Sequence, residues 1–174
     1  MKHHLNIMIT ALRITMFAAS VIAIVNLIVA ISLAFFEDAS LTKNYFDSDF
    51  ITKTNHNSLW LSLVFLTLYS SLLLYAVFGL AKFYNCLIKI KKGHLFYHTQ
   101  GLEFKKAGAA IILFAKFKYV LFCVMGIIAY YDISVLFKRI PELLSVYMIG
   151  KLVLLLSHLA EKGEFIKKEN ELTI

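Results

Sequence analysis

Apolar positions along the chain gather into four long runs separated by polar segments. The first run, residues 14–36, has no charge and a single amide, Asn26. As a helix it would be about 35 Å long against a hydrocarbon core of about 30 Å, enough to cross a bilayer with some tilt. Lys2 and Arg13 ahead of it, and Ser32-Leu33-Ala34 near its end, also loosely fit a signal peptide. The apolar stretch exceeds the roughly 7–15 residues of a signal core, so a retained anchor is expected. The second run, 59–81, is again free of charge, with Asn57 and Ser58 as caps and Trp60 at an interfacial position. The third, 107–131, contains Lys116 and Lys118, and the fourth, 143–160, contains Lys151 and His158. A lysine at a span centre costs about 2.5–3.5 kcal/mol on insertion, so these two spans are expected to insert against the first pair.

Composition agrees. The 174 residues are 60% apolar and 17% charged, whereas a soluble domain has about 45–50% and about 25%. Seven Gly, one Pro and two Cys exclude collagen, a disulfide scaffold and a disordered chain. Cys86 and Cys123 lack metal-ligand spacing and are expected as free buried thiols. A net charge of +7 is compatible with nucleic acid or a membrane surface. The apolar content decides for the membrane, and no direct nucleic-acid binding is expected. The expected fold class is all-α: an integral membrane four-helix bundle, one domain over residues 1–174.

Charge in the connections sets an expected orientation. With the N-terminus inside, the inner segments hold eleven of the 18 Lys and Arg and the outer loops four. The positive-inside rule then favours cytoplasmic N- and C-termini. The outer loop 37–57 carries Glu37, Asp38, Asp47 and Asp49, and the short turn 132–142 holds the single proline, Pro141. The inner segment 82–106 reads as a continuation of the second helix, a break at Lys92-Gly93, and an amphipathic piece leading into the third span. Lys92-Gly93 with Phe96, Gln100 and Leu102 is loosely echoed by Lys162-Gly163 with Phe165, Asn170 and Leu172. Either a duplicated hairpin or the ordinary way of leaving a membrane helix explains the echo.

The tail runs from Glu161-Lys162-Gly163-Glu164-Phe165 to Glu169-Asn170-Glu171-Leu172-Thr173-Ile174 directly after the last apolar span. With Ile88-Lys89-Ile90-Lys91-Lys92-Gly93, Phe96 and Lys105-Lys106-Ala107-Gly108, it resembles the bacterial membrane proteins grouped as domain-of-unknown-function family 2975. The resemblance covers the chain from about residue 80 onward. Lys116, Lys118 and Lys151 depart from it, falling where such proteins are mainly apolar, and the fourth span is short. The resemblance implies a four-helix protein of the bacterial cytoplasmic membrane without an established activity. Such proteins are often encoded beside a small helix-turn-helix regulator, which implies regulation or self-protection at the membrane.

Three groups of residues are candidate sites. Lys116, Lys118 and Lys151 form a candidate intramembrane basic site, with no acid inside any span to pair with them. Lys116 and Lys151 would share one level, about 13 Å from the inner face, and could take an anionic ligand, a lipid head group or a partner's acidic helix. Lys116 and Lys118 point to opposite faces, so at most one can line a shared site. In the other register, the third span starts near Tyr119 and runs to Phe137, leaving these lysines at the inner interface and 99–117 along the membrane surface. The second group, Lys82, Lys89, Lys91, Lys92, Lys105 and Lys106, is interleaved with aromatics and suits anionic lipid head groups. The third is His94 and His98, spaced i,i+4 but without an acidic or Cys ligand nearby, which reads as a solvated pair rather than a metal site. His3 and His4 read as an ordinary terminal pair, and His158 as a hydrogen-bonding group within the bundle. Ser70, Ser71 and Ser157 read as small polar residues at helix contacts.

No Ser-His-carboxylate set, His-Glu-x-x-His motif or phosphate-binding Gly loop occurs, and neither an enzyme nor a cofactor is expected. The expected function is a non-enzymatic accessory, regulatory or protective membrane component. Its expected partners are membrane lipids, anionic ones above all, and another membrane protein or further copies of itself. The alternative is a subunit of a small oligomeric channel or transporter for anions.

Overall fold

The computed structural model describes residues 2–36, 59–93, 97, 99–130 and 133–172. They form α1 (Lys2–Phe36), α2 (Leu59–Lys91), α3 (Gln100–Tyr130), the short α4 (Ser134–Lys138) and α5 (Ile140–Leu172), with no strand among the described residues. Among the described residues four helical units are long and apolar enough to cross a membrane: His3–Phe35, Trp60–Lys91, Gln100–Ile128, and the α4–α5 unit Ser134–Asn170. The helices outrun their apolar cores. At 31–35 residues the long ones measure about 46–52 Å, and the excess is polar sequence.

Neighbours in the chain are neighbours in space. α1 packs on α2, α2 on α3 and α3 on α5, while α1 and α5 make at most marginal contact. Each pair runs antiparallel, so the start of α1, the end of α2, the start of α3 and the end of α5 meet at one end of the molecule. Lys82, Lys89, Lys91, Lys105 and Lys106 lie there, and it is called the basic end below. All four long helices contribute to the main buried cluster at this end: Ile9, Phe83, Cys86 and Leu87, Phe104 and Ala107, Val153 and Ala160. A smaller cluster of Ala30, Leu33 and Leu66 lies toward the opposite end.

Small residues permit the close crossings. A methyl group added at Gly108 would lie 3.0 Å from the Gly150 carbonyl oxygen, and one at Gly150 would lie 3.2 Å from that of Gly108. Ser157 adds a buried hydrogen bond across the same seam, donating to the Gly101 carbonyl at 2.8 Å. Gly79 likewise meets Ala110 between α2 and α3. Where hydrocarbon lies on both sides, backbone approach and such hydrogen bonds are what drive helices together.

The ends follow local chemistry. α2 stops where Gly93 adopts φ +92°, and its amide closes on the Ile90 carbonyl, the left-handed exit that glycine adopts without penalty. Lys162-Gly163, by contrast, lies inside the unbroken α5, so the sequence echo has no structural counterpart. Pro141 sits in the first turn of α5, where its missing N–H removes no helical bond. α3 runs without a break from Gln100 to Tyr130. A third span bent off near Tyr119, with 99–117 folded along the surface, is therefore not the arrangement adopted.

Candidate functional site

Contacts between α2 and α3 fix their register. Gly79 faces Ala110, Phe83 and Phe104 have ring centroids 5.7 Å apart, and Phe65 and Phe122 5.2 Å apart. Each residue toward the basic end on α2 is matched by one toward that end on α3. Lys118 therefore lies alongside Ser71, the middle of the charge-free run 59–81 and about 17 Å from either of its ends.

At that depth Lys118 is paired. Its ammonium donates to Glu142, and Arg139 Nη1 donates to the other carboxylate oxygen at 3.2 Å. Aromatic faces surround the pair: Lys118 Nζ is 5.8 Å from the centroids of both Phe114 and Phe122, and Arg139 Cζ is 4.7 Å from that of Phe122. Lys118, Phe122, Arg139 and Glu142, with Ala115, Tyr119, Leu143 and Val146, line a space of only about 10 Å³, room for about one water. The bend between α4 and α5 delivers the two α5-side groups. Tyr119 donates to the Leu136 carbonyl at 3.1 Å, and Val135 packs against Gly126, so α4 folds back along α3 and α5 starts level with Lys118. Glu142, just outside the apolar run 143–160, thus enters the span as the acid that the run itself lacks.

Lys116 and Lys151 are both exposed. The Gly108–Gly150 contact sets Lys151 close to the level of Ala109, near the basic end, and Lys116 is about 10 Å further in. They do not share a level. Their side chains nevertheless converge on Tyr147, with Lys116 Nζ 5.9 Å and Lys151 Nζ 5.5 Å from its ring centroid. Among the described residues no carboxylate lies within ion-pair distance of either lysine.

The basic end carries a second network. Lys89 donates to Glu103 at 2.8 Å and lies 4.5 Å from the Tyr97 ring centroid. Tyr97 donates to the same carboxylate, and the Cys86 thiol reaches it at 3.1 Å. Burial, then the neighbouring Cys86 and Glu103, push the Tyr97 phenol above its ordinary range, so it stays a donor. Arg13 ties α1 to α2 through the Tyr84 hydroxyl at 2.7 Å. Lys91, Lys92, Lys105 and Lys106 are exposed, and Lys82 is half-buried with its Nζ 5.1 Å from the Phe78 ring centroid.

The remaining polar candidates are dispersed. His158 is exposed and lies 3.7 Å from Glu161 on its own helix, not hydrogen-bonded inside the bundle. Ser70 is buried and bonded to the Leu66 carbonyl, Ser71 is exposed, and His3 and His4 make an edge contact at 6.0 Å. Cys86 and Cys123 are buried and free. The loop acids of 37–57, Asn57, Ser58, His94, Phe96 and His98 lie outside the described residues. Among the described residues no group of three His, Cys, Asp or Glu side chains could hold a metal ion. Comparison with protein-family models, curated proteins and solved structures finds no match.

Glu142, Tyr97 and Glu103 were the residues that local spacing could not reveal. Each meets its lysine through a turn or a helix–helix seam. Tyr147, four residues before Lys151 on one helix, and Arg139, three before Glu142, were within reach of local spacing. The one available signal was Glu142, one residue before an apolar run and beside the proline.

Proposed function

We propose that the chain is a multi-pass component of a bacterial cytoplasmic membrane, with both ends inside, whose role is accessory, regulatory or protective rather than catalytic. The observation that carries this reading is the central ion pair. The deepest cation, Lys118, is neutralised by Glu142 within the chain and enclosed by aromatic rings. It therefore strengthens the contact between α3 and α5 instead of lining an aqueous path. What the chain offers outward is an apolar lateral surface and a basic end, suited to lipid and to membrane partners. The eleven-to-four distribution of Lys and Arg supports the inside orientation. The resemblance of the tail to family 2975 belongs to the same reading.

Purification of the full chain in mild detergent, with mass spectrometry of what co-purifies, tests it. A specific membrane protein or a retained anionic lipid is the expected result. Anion flux through liposomes containing only this protein would overturn it.

One observation favours the alternative of an oligomeric anion channel or transporter. Lys116 and Lys151 converge on the half-buried Tyr147 ring without a carboxylate among the described residues, so several copies meeting on this face would share a ring of positive charge.

A further inference from the structure

We propose that the groove between α2 and α3 seats one anionic phospholipid of the inner leaflet, its acyl chain in the groove and its phosphate between Lys82 and Lys106. This rests on the reading of the basic end as the inner, lipid-contacting face.

The groove has a volume of about 500 Å³ and is walled by Leu68, Leu72 and Tyr75 of α2 and by Leu113, Phe117 and Val120 of α3. Its one aliphatic hydroxyl, on Ser71, already donates to the Thr67 carbonyl at 2.9 Å. The wall therefore suits a hydrocarbon occupant. The groove begins at inner-leaflet depth. Tyr75 is seven residues from Lys82 and Val124 eighteen from Lys106, so it runs from about 10 to about 27 Å from the lysines. Half of the hydrocarbon core is about 15 Å thick, so the acyl chain occupies the part nearer the lysines.

The two lysines belong to the same faces as the groove. Lys82 and Tyr75 are seven residues apart on α2, as are Lys106 and Leu113 on α3, a spacing that keeps helical side chains in one row. The α2–α3 register sets Lys82 alongside Ala107, so Lys82 and Lys106 stand on opposite banks of the groove's inner mouth. Neither has a carboxylate within ion-pair distance among the described residues. Phe78, exposed beside Lys82, supplies an aromatic surface at the same height. An apolar slot that opens between two uncompensated cations at the head-group level matches a lipid with a net negative head. A free anion would leave the slot empty, and a zwitterionic lipid would leave the two charges partly unanswered.

Native mass spectrometry of the full chain, titrated with phosphatidylglycerol or with phosphatidylcholine of the same chains, tests the site. Wild type is expected to retain one phosphatidylglycerol at lower concentration than phosphatidylcholine. Lys82→Gln/Lys106→Gln is expected to weaken phosphatidylglycerol about tenfold and leave phosphatidylcholine unchanged. Val120→Trp, which fills the slot, is expected to weaken both, and helicity by circular dichroism shows whether that variant is folded. Lys91→Gln/Lys92→Gln, beyond the groove but in the same basic end, is the comparison and is expected to weaken phosphatidylglycerol less than the groove pair does. An equal loss in the two lysine pairs would overturn the groove site while leaving a general lipid affinity of the basic end. No loss in either pair would overturn both.

Discussion

Lys118 of α3 and Glu142 of α5, 24 residues apart in the chain, form an ion pair alongside the middle of α2's charge-free run. A lysine that would be costly in hydrocarbon shares this carboxylate with Arg139 at the seam between two helices. Removing Glu142 leaves cationic charge uncompensated, which costs about 3–5 kcal/mol where such a pair is well buried. The half-exposed Glu142 argues for the lower end of that range. Glu142→Gln, which strips both Lys118 and Arg139 of their shared carboxylate, is expected to destabilise the folded protein by about 3 kcal/mol, and Lys118→Met to cost less, because Arg139 still faces Glu142. Reversible unfolding in mixed micelles measures both. A single variant as stable as wild type would show that the pair contributes nothing.

The two exposed lysines differ in depth, so they should differ in insertion. Lys116→Leu is expected to favour insertion of the third span by about 2 kcal/mol, and Lys151→Leu that of the fourth by less than about 1 kcal/mol. A translocon-insertion assay on each span reads the difference. Equal gains would contradict the offset seen between α3 and α5.

At the Gly108–Gly150 crossing, backbone meets backbone. Gly150→Leu is expected to separate α3 from α5 and to cost at least about 2 kcal/mol, because an added side chain meets the Ile112 side chain and the Gly108 carbonyl at once. Gly93→Ala offers the contrast, a strained backbone with open space around it, expected to cost about 1 kcal/mol. The same micellar unfolding ranks them, and the reverse order would count against the close crossing.

Tyr97 holds the turn between α2 and α3 onto Glu103. Tyr97→Phe keeps the ring beside Lys89 but removes the donor, and is expected to cost about 1.5 kcal/mol, the worth of a hydrogen bond to a charged acceptor. Cys86, whose sulfur accepts from the same hydroxyl at 3.3 Å, loses a donor that favours its thiolate and is expected to become less reactive toward maleimide in this variant. Unchanged labelling would mean that the thiol is shielded by packing alone.

Much of this architecture is legible in the residues. A charge-free run as long as 59–81 has few outcomes other than a buried or membrane helix, and Lys92-Gly93 reads correctly as a stop because a glycine can take the positive φ found there. Helix lengths are less legible. α1 begins twelve residues before its apolar run because Lys2, His3, His4 and Arg13 are good enough helix residues once Ile9 packs on α2. The polar pairings are hidden for a different reason. Lys118 and Glu142 meet only because α4 folds back along α3 and brings the start of α5 level with Lys118, and no local spacing encodes that turn. Lys116 and Lys151, equally far from the inner ends of their apolar runs, look level in sequence but are offset by the packing of Gly108 on Gly150.

Orientation in the bilayer is the central claim, and impermeant-maleimide labelling of intact bacterial cells tests it most directly. The native thiols, Cys86 and Cys123, are buried, so single cysteines introduced as Asp47→Cys in the segment 37–57 and Thr173→Cys near the C-terminus report their own sides. Labelling at 47 and protection at 173 until the membrane is permeabilised is the expected result. Labelling at 173 in intact cells would contradict it.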